Sequence, residues 1–239
     1  MLDLSSVKSI SIPEGNAVKI QAGGNTLWQL NQEADYRAIY QRVEYVHTAG
    51  GSSGGWFLTD FIPDNTSGME LTYSVEKFSD IATMGTRNSG SDTRCYNFYP
   101  RATTVGYVGW KTAQSWSVST TANEKYTVRT NWLNSRKAVI LNADGTTKAT
   151  KSLSGTLPAQ VSGIGIGRYN NATNSPTSSR EITIYGARLS QGSEVVRDYI
   201  PCYRKSDGVI GLYEMLTGAF LVSYNGGSLT KGPDVAWDA

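Results

Sequence analysis

The chain has 239 residues, with 22 Lys and Arg against 20 Asp and Glu, and Ser, Thr and Asn make up about 27% of it. That charge balance excludes a nucleic-acid binder working through bulk charge. No apolar run approaches the ~18 residues of a membrane helix, and the Ala, Glu, Lys and Leu bias of a coiled coil or helical bundle is missing. With 39% hydrophobic and 10% aromatic residues, the chain can still build a core. The first residues, MLDLSSVKS, lack the basic and apolar regions of a signal peptide.

In chain order, residues 1–30 read as a small three-stranded β module. Val7, Ile10 and Ile12 alternate with polar residues up to the turn Pro13-Glu14-Gly15. Val18 and Ile20 form a second strand, and Gly23-Gly24-Asn25 turns into a third that ends at Leu27-Trp28. Three strands of this size are marginal alone, so the module reads as an attachment element that needs a surface to pack on. Residues 31–40 are a linker or short helix, and 41–239 are one β domain that opens on the alternation of Gln41 to Val46.

Within that domain the Gly-rich AGGSSGG stretch reads as a loop before a strand at 56–60. Further strands are expected at 69–75, 81–86, 95–99, 104–110, 125–132, 137–141, 146–153, 163–167 and 181–189. Asn142-Ala143-Asp144-Gly145 is a hairpin turn. Gly163-Ile164-Gly165-Ile166-Gly167 has no following helix or Lys-Ser/Thr, so it reads as a strand packed closely on a neighbour rather than a phosphate loop. Strands at this spacing, with no long helical period, predict an all-β jelly-roll sandwich of two antiparallel sheets.

The last third carries the most specific pattern. It runs Val196-Arg197-Asp198-Tyr199-Ile200-Pro201-Cys202-Tyr203-Arg204-Lys205-Ser206-Asp207-Gly208, then Gly211-Leu212-Tyr213-Glu214, LTGAF and a Gly232-Pro233 ending. This resembles the closing strands of laminin-G-like, concanavalin-A-like jelly-roll domains in phage and prophage tail proteins. The stretch YRAIYQRVEYVHTAGGSSGGWFLTDFIP and Met84-Gly85-Thr86-Arg87 are similar to the start and an inner motif of that group. Residues 7–28 are similar to a segment that often precedes it. The resemblance implies a virion protein of the tail, made in the host cytoplasm, that attaches to other tail proteins through residues 1–30 and forms a homotrimer by analogy. It also implies an adhesin for a bacterial surface glycan, the alternative being a structural tail protein whose sandwich only contacts sister subunits. Physically, Arg197, Asp198, Pro201, Asp207 and Gly208 read as a structural motif. Asp207-Gly208 is a tight turn, Ile200-Pro201 an enforced extended segment, and Arg197, Asp198, Arg204 and Asp207 candidates to pair near the sheet end.

Catalytic chemistry is not visible. Glycoside hydrolysis needs two carboxylates, but Glu70, Glu124 and Glu181 are each followed two positions on by Thr72, Tyr126 and Thr183 rather than an acid on the same strand face. His47 is the one histidine, and no serine lies in G-x-S-x-G. No enzyme, cofactor, nucleic-acid or membrane role is therefore expected, a glycan-cleaving enzyme being the third reading after the adhesin and the structural tail protein. Cys95 and Cys202 could bridge or stay as two buried thiols, without the spacing of a zinc site. Calcium candidates are Asp60, Asp64 and Asn65, or Asn142 and Asp144, but neither set matches a loop signature, so no metal is expected. Sugars are gripped by aromatic faces and planar polar groups, which points to Arg87, Tyr96, Asn97, Tyr99, Trp110, Trp116, Tyr169 and Asn170 as carbohydrate-binding candidates. Trp110 and Trp116 flank an apparent polar loop. The competing reading for Tyr96, Phe98, Trp110 and Trp132 is the core of the sandwich.

Overall fold

A computed structural model describes residues 19–22, 25–29, 32–87, 93–171 and 179–237. In the N-terminal region β1 (Lys19–Ala22) and β2 (Asn25–Gln29) pair antiparallel, with Ile20 opposite Trp28. The strand expected around Val7 to Ile12 lies outside the described residues. An eight-residue helix, α1 (Gln32–Ile39), follows. Its Tyr36 stacks on Tyr213 at 5.0 Å and meets Trp237 edge-on at 4.8 Å, so this short element is held by the sandwich behind it.

The strands after α1 fall into two sheets. The larger has eleven strands: β3 (Tyr40–Arg42), β4 (Val46–Gly51), β6 (Ser67–Ser74), β10 (Tyr126–Thr130), β11 (Lys137–Leu141), β12 (Thr147–Ser152), β15 (Ser179–Gln191), β16 (Glu194–Arg204), β17 (Ile210–Glu214), β18 (Phe220–Leu221) and β19 (Thr230–Lys231). The smaller holds β5 (Phe57–Leu58), β7 (Met84–Arg87), β8 (Thr93–Ala102), β9 (Val105–Ser117), β13 (Gly165–Ile166) and β14 (Tyr169–Asn171). Pairing is antiparallel throughout both sheets except for β14, which runs parallel to β7. The all-β, two-sheet sandwich expected from the alternation is the fold.

The core lies between the sheets because alternate residues of each strand point there. Strand β10 shows the period directly: Tyr126, Val128 and Thr130 are buried while Thr127 and Arg129 are partly exposed. Leu71, Ile140, Ile182, Ile184 and Leu189 from the larger sheet meet Phe57, Met84, Phe98, Val108 and Ile166 from the smaller, with Ile164 just before β13. Tyr73 touches Phe98 across the gap at 5.9 Å, and the Tyr96 hydroxyl donates to the Ser67 carbonyl at 3.0 Å, tying the layers together. Cys95 and Cys202 are buried and unbridged, one in each sheet.

One expected loop is strand instead, and another is strand only in its first three residues. Strand β4 runs into the AGGSSGG segment, which it can do because Gly50 and Gly51 take φ of 75° and 69°, where a side chain would be strained. Strand β9 continues through Trp110 and Trp116 to Ser117. Their polar spacing suggests a loop, but the strand carries on past Lys111, which takes φ 69° opposite a register shift between Thr93 and Cys95 on β8.

Candidate functional site

Strands β8 and β9 form the outer part of the smaller sheet, and their register decides which side chains reach solvent. Tyr96 pairs with Trp110 and Phe98 with Val108, and all four belong to the core. Side chains one position away must lie on the opposite face. Tyr99 and Tyr107 are therefore partners on the outer face, and their rings stack at 5.1 Å with planes 3° apart. Arg101 lies on the same face as Tyr99, two residues along. Its guanidinium sits 5.3 Å from the Tyr107 ring and donates to the Tyr107 hydroxyl at 3.0 Å, while Nε is ion-paired to Asp80. A second stack stands nearby, with the Arg87 guanidinium 4.9 Å from the Tyr169 ring. That contact follows from the parallel pairing of β14 with β7.

Between these groups is a cleft of about 510 Å³ lined by Asp80, Arg87, Tyr99, Arg101, Tyr107, Thr112 and Ala113. Its chemistry is mixed: phenol rings for apolar faces, guanidinium N–H donors, one carboxylate acceptor and a threonine hydroxyl. The rings and arginines brace each other, so little side-chain entropy remains to be lost on binding.

Arg180 holds one wall in place. Only 2% of it is exposed, and it donates to the carbonyls of Ser79 (3.1 Å), Ile81 (2.6 Å), Lys77 (3.0 Å) and Pro100 (2.9 Å). Those bonds fix the 77–81 segment, which presents Asp80, against the end of β8, which presents Arg101. Burial lowers the Arg180 pKa to about 10.

The structure divides the expected binding residues. Arg87 and Tyr99 line the cleft, and Tyr169 stacks on Arg87. Asn170 is half-buried beside them and donates to the Gly163 carbonyl at 3.0 Å. Tyr96, Trp110 and Trp116 are corrected to core residues: Tyr96 and Trp110 are fully buried, Trp116 is 5% exposed, and the Trp110 indole N–H donates to the Gly155 carbonyl. Asn97 is also fully buried, although its parity places it on the outer face. It lies flat between two glycines. A Cβ on Gly109 would fall 2.4 Å from Asn97 Oδ1, and one on Gly85 2.4 Å from Asn97 Cβ. Tyr107, Arg101, Asp80 and Thr112 were missed. The parity of Val108 and Trp110 already implied an outward Tyr107, but Asp80 reaches the cleft only through Arg180.

The closing motif is scaffold, with one revision. Arg204 and Asp207 pair at 2.6 Å, Gly208 takes φ 71°, and the Val209 N–H donates to Asp207. Arg197, however, pairs with Asp60 at 3.1 Å rather than with Asp198. The Asp198 backbone N–H donates to Glu214, and burial raises the Asp198 carboxyl, partly opposed by Arg188. Pro201 sits inside β16 opposite Leu212, its carbonyl accepting from Val43.

The calcium candidates Asp60, Asp64, Asn65 and Asp144 accept bonds from the protein's own donors. Asp64 accepts from Thr66, Ser67 and Gln191, and Asn65 Oδ1 from Arg136 and the Leu157 N–H. Asp144 closes its hairpin onto Thr146. Among the described residues, His47, Glu76 and Glu181 bring ligand-type atoms within 4.8 Å of one another, with His47 Nδ1 also 3.0 Å from Thr183 Oγ1. The deepest carboxylates have structural partners. Glu70 is clasped by Arg129 and by Arg188 (2.6 Å), and Glu214 accepts backbone N–H bonds from Asp198, Leu216 and Thr217.

No protein-family profile matches the chain, and no curated protein matches it. Among solved structures it is similar to a Bacteroides ovatus protein provisionally described as carbohydrate-binding, at 14% identity and a TM-score of 0.47, over 82% of this chain. The match spans 62% of that longer protein. It is also similar to scytalido-glutamic peptidase solved with a peptide-based transition-state analogue, at 15% identity and a TM-score of 0.38, over 75% of this chain and 99% of the peptidase.

Proposed function

We propose that this chain is a non-enzymatic phage tail or tail-fibre component, an adhesin whose sandwich presents the outer-face cleft to a bacterial surface glycan. The observation that carries the glycan reading is one solvent-open cleft lined by the Tyr99–Tyr107–Arg101 stack and by Arg87, which is itself stacked on Tyr169. Sugars offer flat C–H faces and hydroxyl edges. Rigid rings cover the former, while guanidinium forks and a carboxylate bond the latter. The tail setting comes from the sequence resemblance, as do attachment through residues 1–30 and a trimeric state. The non-enzymatic reading is supported by Glu70 and Glu214, the most buried carboxylates described, being tied to arginines or backbone N–H groups.

The test is a titration of the purified chain with fragments of bacterial surface polysaccharide, for the wild type and Tyr107→Ala. Binding is expected, weakened about tenfold or more in the variant, as for loss of an aromatic anchor worth about 1.4 kcal/mol or more. Unchanged binding in Tyr107→Ala, or no binding to any fragment, would overturn the cleft as the site. New reducing ends appearing in the same mixtures would overturn the non-enzymatic part.

A further inference from the structure

The stack that borders the cleft continues inward to a cation with no partner. Arg168 precedes Tyr169 and is only 4% exposed, and its Nε and Nη1 are sealed from solvent with no acceptor. Its guanidinium lies 6.0 Å from the Tyr169 ring and 5.5 Å from that of Trp56. Trp56, 1% exposed, has its own indole N–H sealed without an acceptor. The ring faces attract the cation but leave its in-plane N–H groups unbonded. Buried polar groups are bonded in the great majority of cases, and Arg180 shows how this fold meets such an arginine, with four carbonyls on its two terminal nitrogens and only Nε left unbonded. At Arg168 the described residues supply none, and burial pushes the pKa down to about 10. Tyr169 ties this spot to Arg87 and the cleft. Tyr224, 59% exposed and 4.8 Å from the Trp56 ring, is its outer end.

We propose that Arg168 and the Trp56 indole N–H form a subsite for an oxyanion, so that the glycan this chain selects is acidic. The inference rests on the cleft being a glycan site and adds the class of sugar. A carboxylate on a uronic-acid residue and a phosphate linking two sugars share the chemistry: an oxygen anion that accepts charge-assisted bonds from N–H donors in a dry setting. A ligand that reached these groups past the exposed Tyr224 ring would complete the donors that the fold leaves open.

The experiment is calorimetric titration of the full chain with an oligogalacturonate, a neutral galactose oligomer of equal length and a glycerol-phosphate-linked oligomer. It uses the wild type, Arg168→Gln and Tyr107→Ala. The wild type is expected to prefer one anionic oligomer over the neutral one by about tenfold or more, and which one it prefers identifies the anion. Arg168→Gln should lose that preference while keeping neutral binding, and Tyr107→Ala should weaken every arm. A wild type indifferent to charge, or an Arg168→Gln variant that keeps the preference, overturns the inference while leaving the glycan site standing. Binding to none of the oligomers overturns both. If Arg168→Gln does not fold, the Trp56 indole N–H resonance of the wild type, assigned with Trp56→Phe, gives a direct readout. It should move with the preferred anionic oligomer and not with the neutral one, and a resonance that stays put with both anions overturns the subsite.

Discussion

Replacing Arg180 by Met tests how the cleft is held. The substitution keeps an apolar stem of similar length but removes the donors to four carbonyls, at 2.6 to 3.1 Å, from a side chain that is 2% exposed. A hydrogen bond from a charged donor contributes at least about 1.5 kcal/mol, so four contribute about 6 kcal/mol. Part of that is offset by the desolvation of the guanidinium, which lowers its pKa from 12.5 to about 10. At 1.36 kcal/mol per pH unit, removing the charge returns about 3 kcal/mol. The expected net loss is about 3 kcal/mol, or a fall in melting temperature of about 6–12 °C for a domain of this size. Urea denaturation followed by tryptophan fluorescence measures it. Arg168→Met is the matched control. It has no acceptors to abandon, so in the unliganded protein it should be neutral or stabilise by about 1–2 kcal/mol, as released desolvation outweighs two weak cation–ring contacts. A loss below about 1 kcal/mol in Arg180→Met, or equal losses in both variants, would refute the reasoning.

Three further outcomes follow from the same geometry. Gly85→Ala should cost more than about 2 kcal/mol in chemical denaturation, because its Cβ would sit 2.2 Å from the Tyr96 carbonyl oxygen at a φ of 135°. Alanine at the open turn position Gly192, with nothing within 4 Å, should cost less. Burial alone would raise the Asp64 carboxyl, but donors from Thr66, Gln191 and Ser67 outweigh it and hold the pKa below its ordinary 3.8. A depressed acid stabilises the fold above its unfolded pKa and loses that contribution as pH falls through the folded one. Acid unfolding curves of wild type and Asp64→Asn should therefore converge below that range and separate above it. Parallel curves across the whole range would contradict the linkage. Burial raises the Cys202 thiol to about 12, so a thiol reagent at pH 8 should leave Cys202 unmodified in the native chain and label it on unfolding. Rapid native labelling would show the site to be open.

Much of the architecture was readable from local pattern. The strand expected at 137–141 coincides with β11, and Asp144-Gly145 turns the following hairpin with Gly145 at φ 82°. Asp207-Gly208 behaves in the same way. These features depend on backbone preferences within a few residues, and such preferences survive in any tertiary context. The binding candidates were less readable. On β8, the Tyr96/Phe98 set and the Asn97/Tyr99 set each offer an aromatic residue, so composition does not say which set is the core. Trp110 and Trp116 had polar neighbours and read as a loop, until β9 proved long enough to carry both inward.

The sequence by itself determined an all-β chain with two-residue periodicity, tight glycine turns and enough aromatic residues for a large core, because these follow from steric and hydrophobic rules acting along the chain. The tertiary structure decided which face of each aromatic strand met the second sheet, and so sent Tyr96 and Trp110 inward and left Tyr99 and Tyr107 to line a cleft. It also decided that Asp80 joins Arg101 through an arginine 80 to 103 positions away from the carbonyls it binds. Periodicity fixes that side chains alternate, but only the packing of one sheet on another selects the side that is buried. Contacts that cross the sequence at such distances leave no local trace.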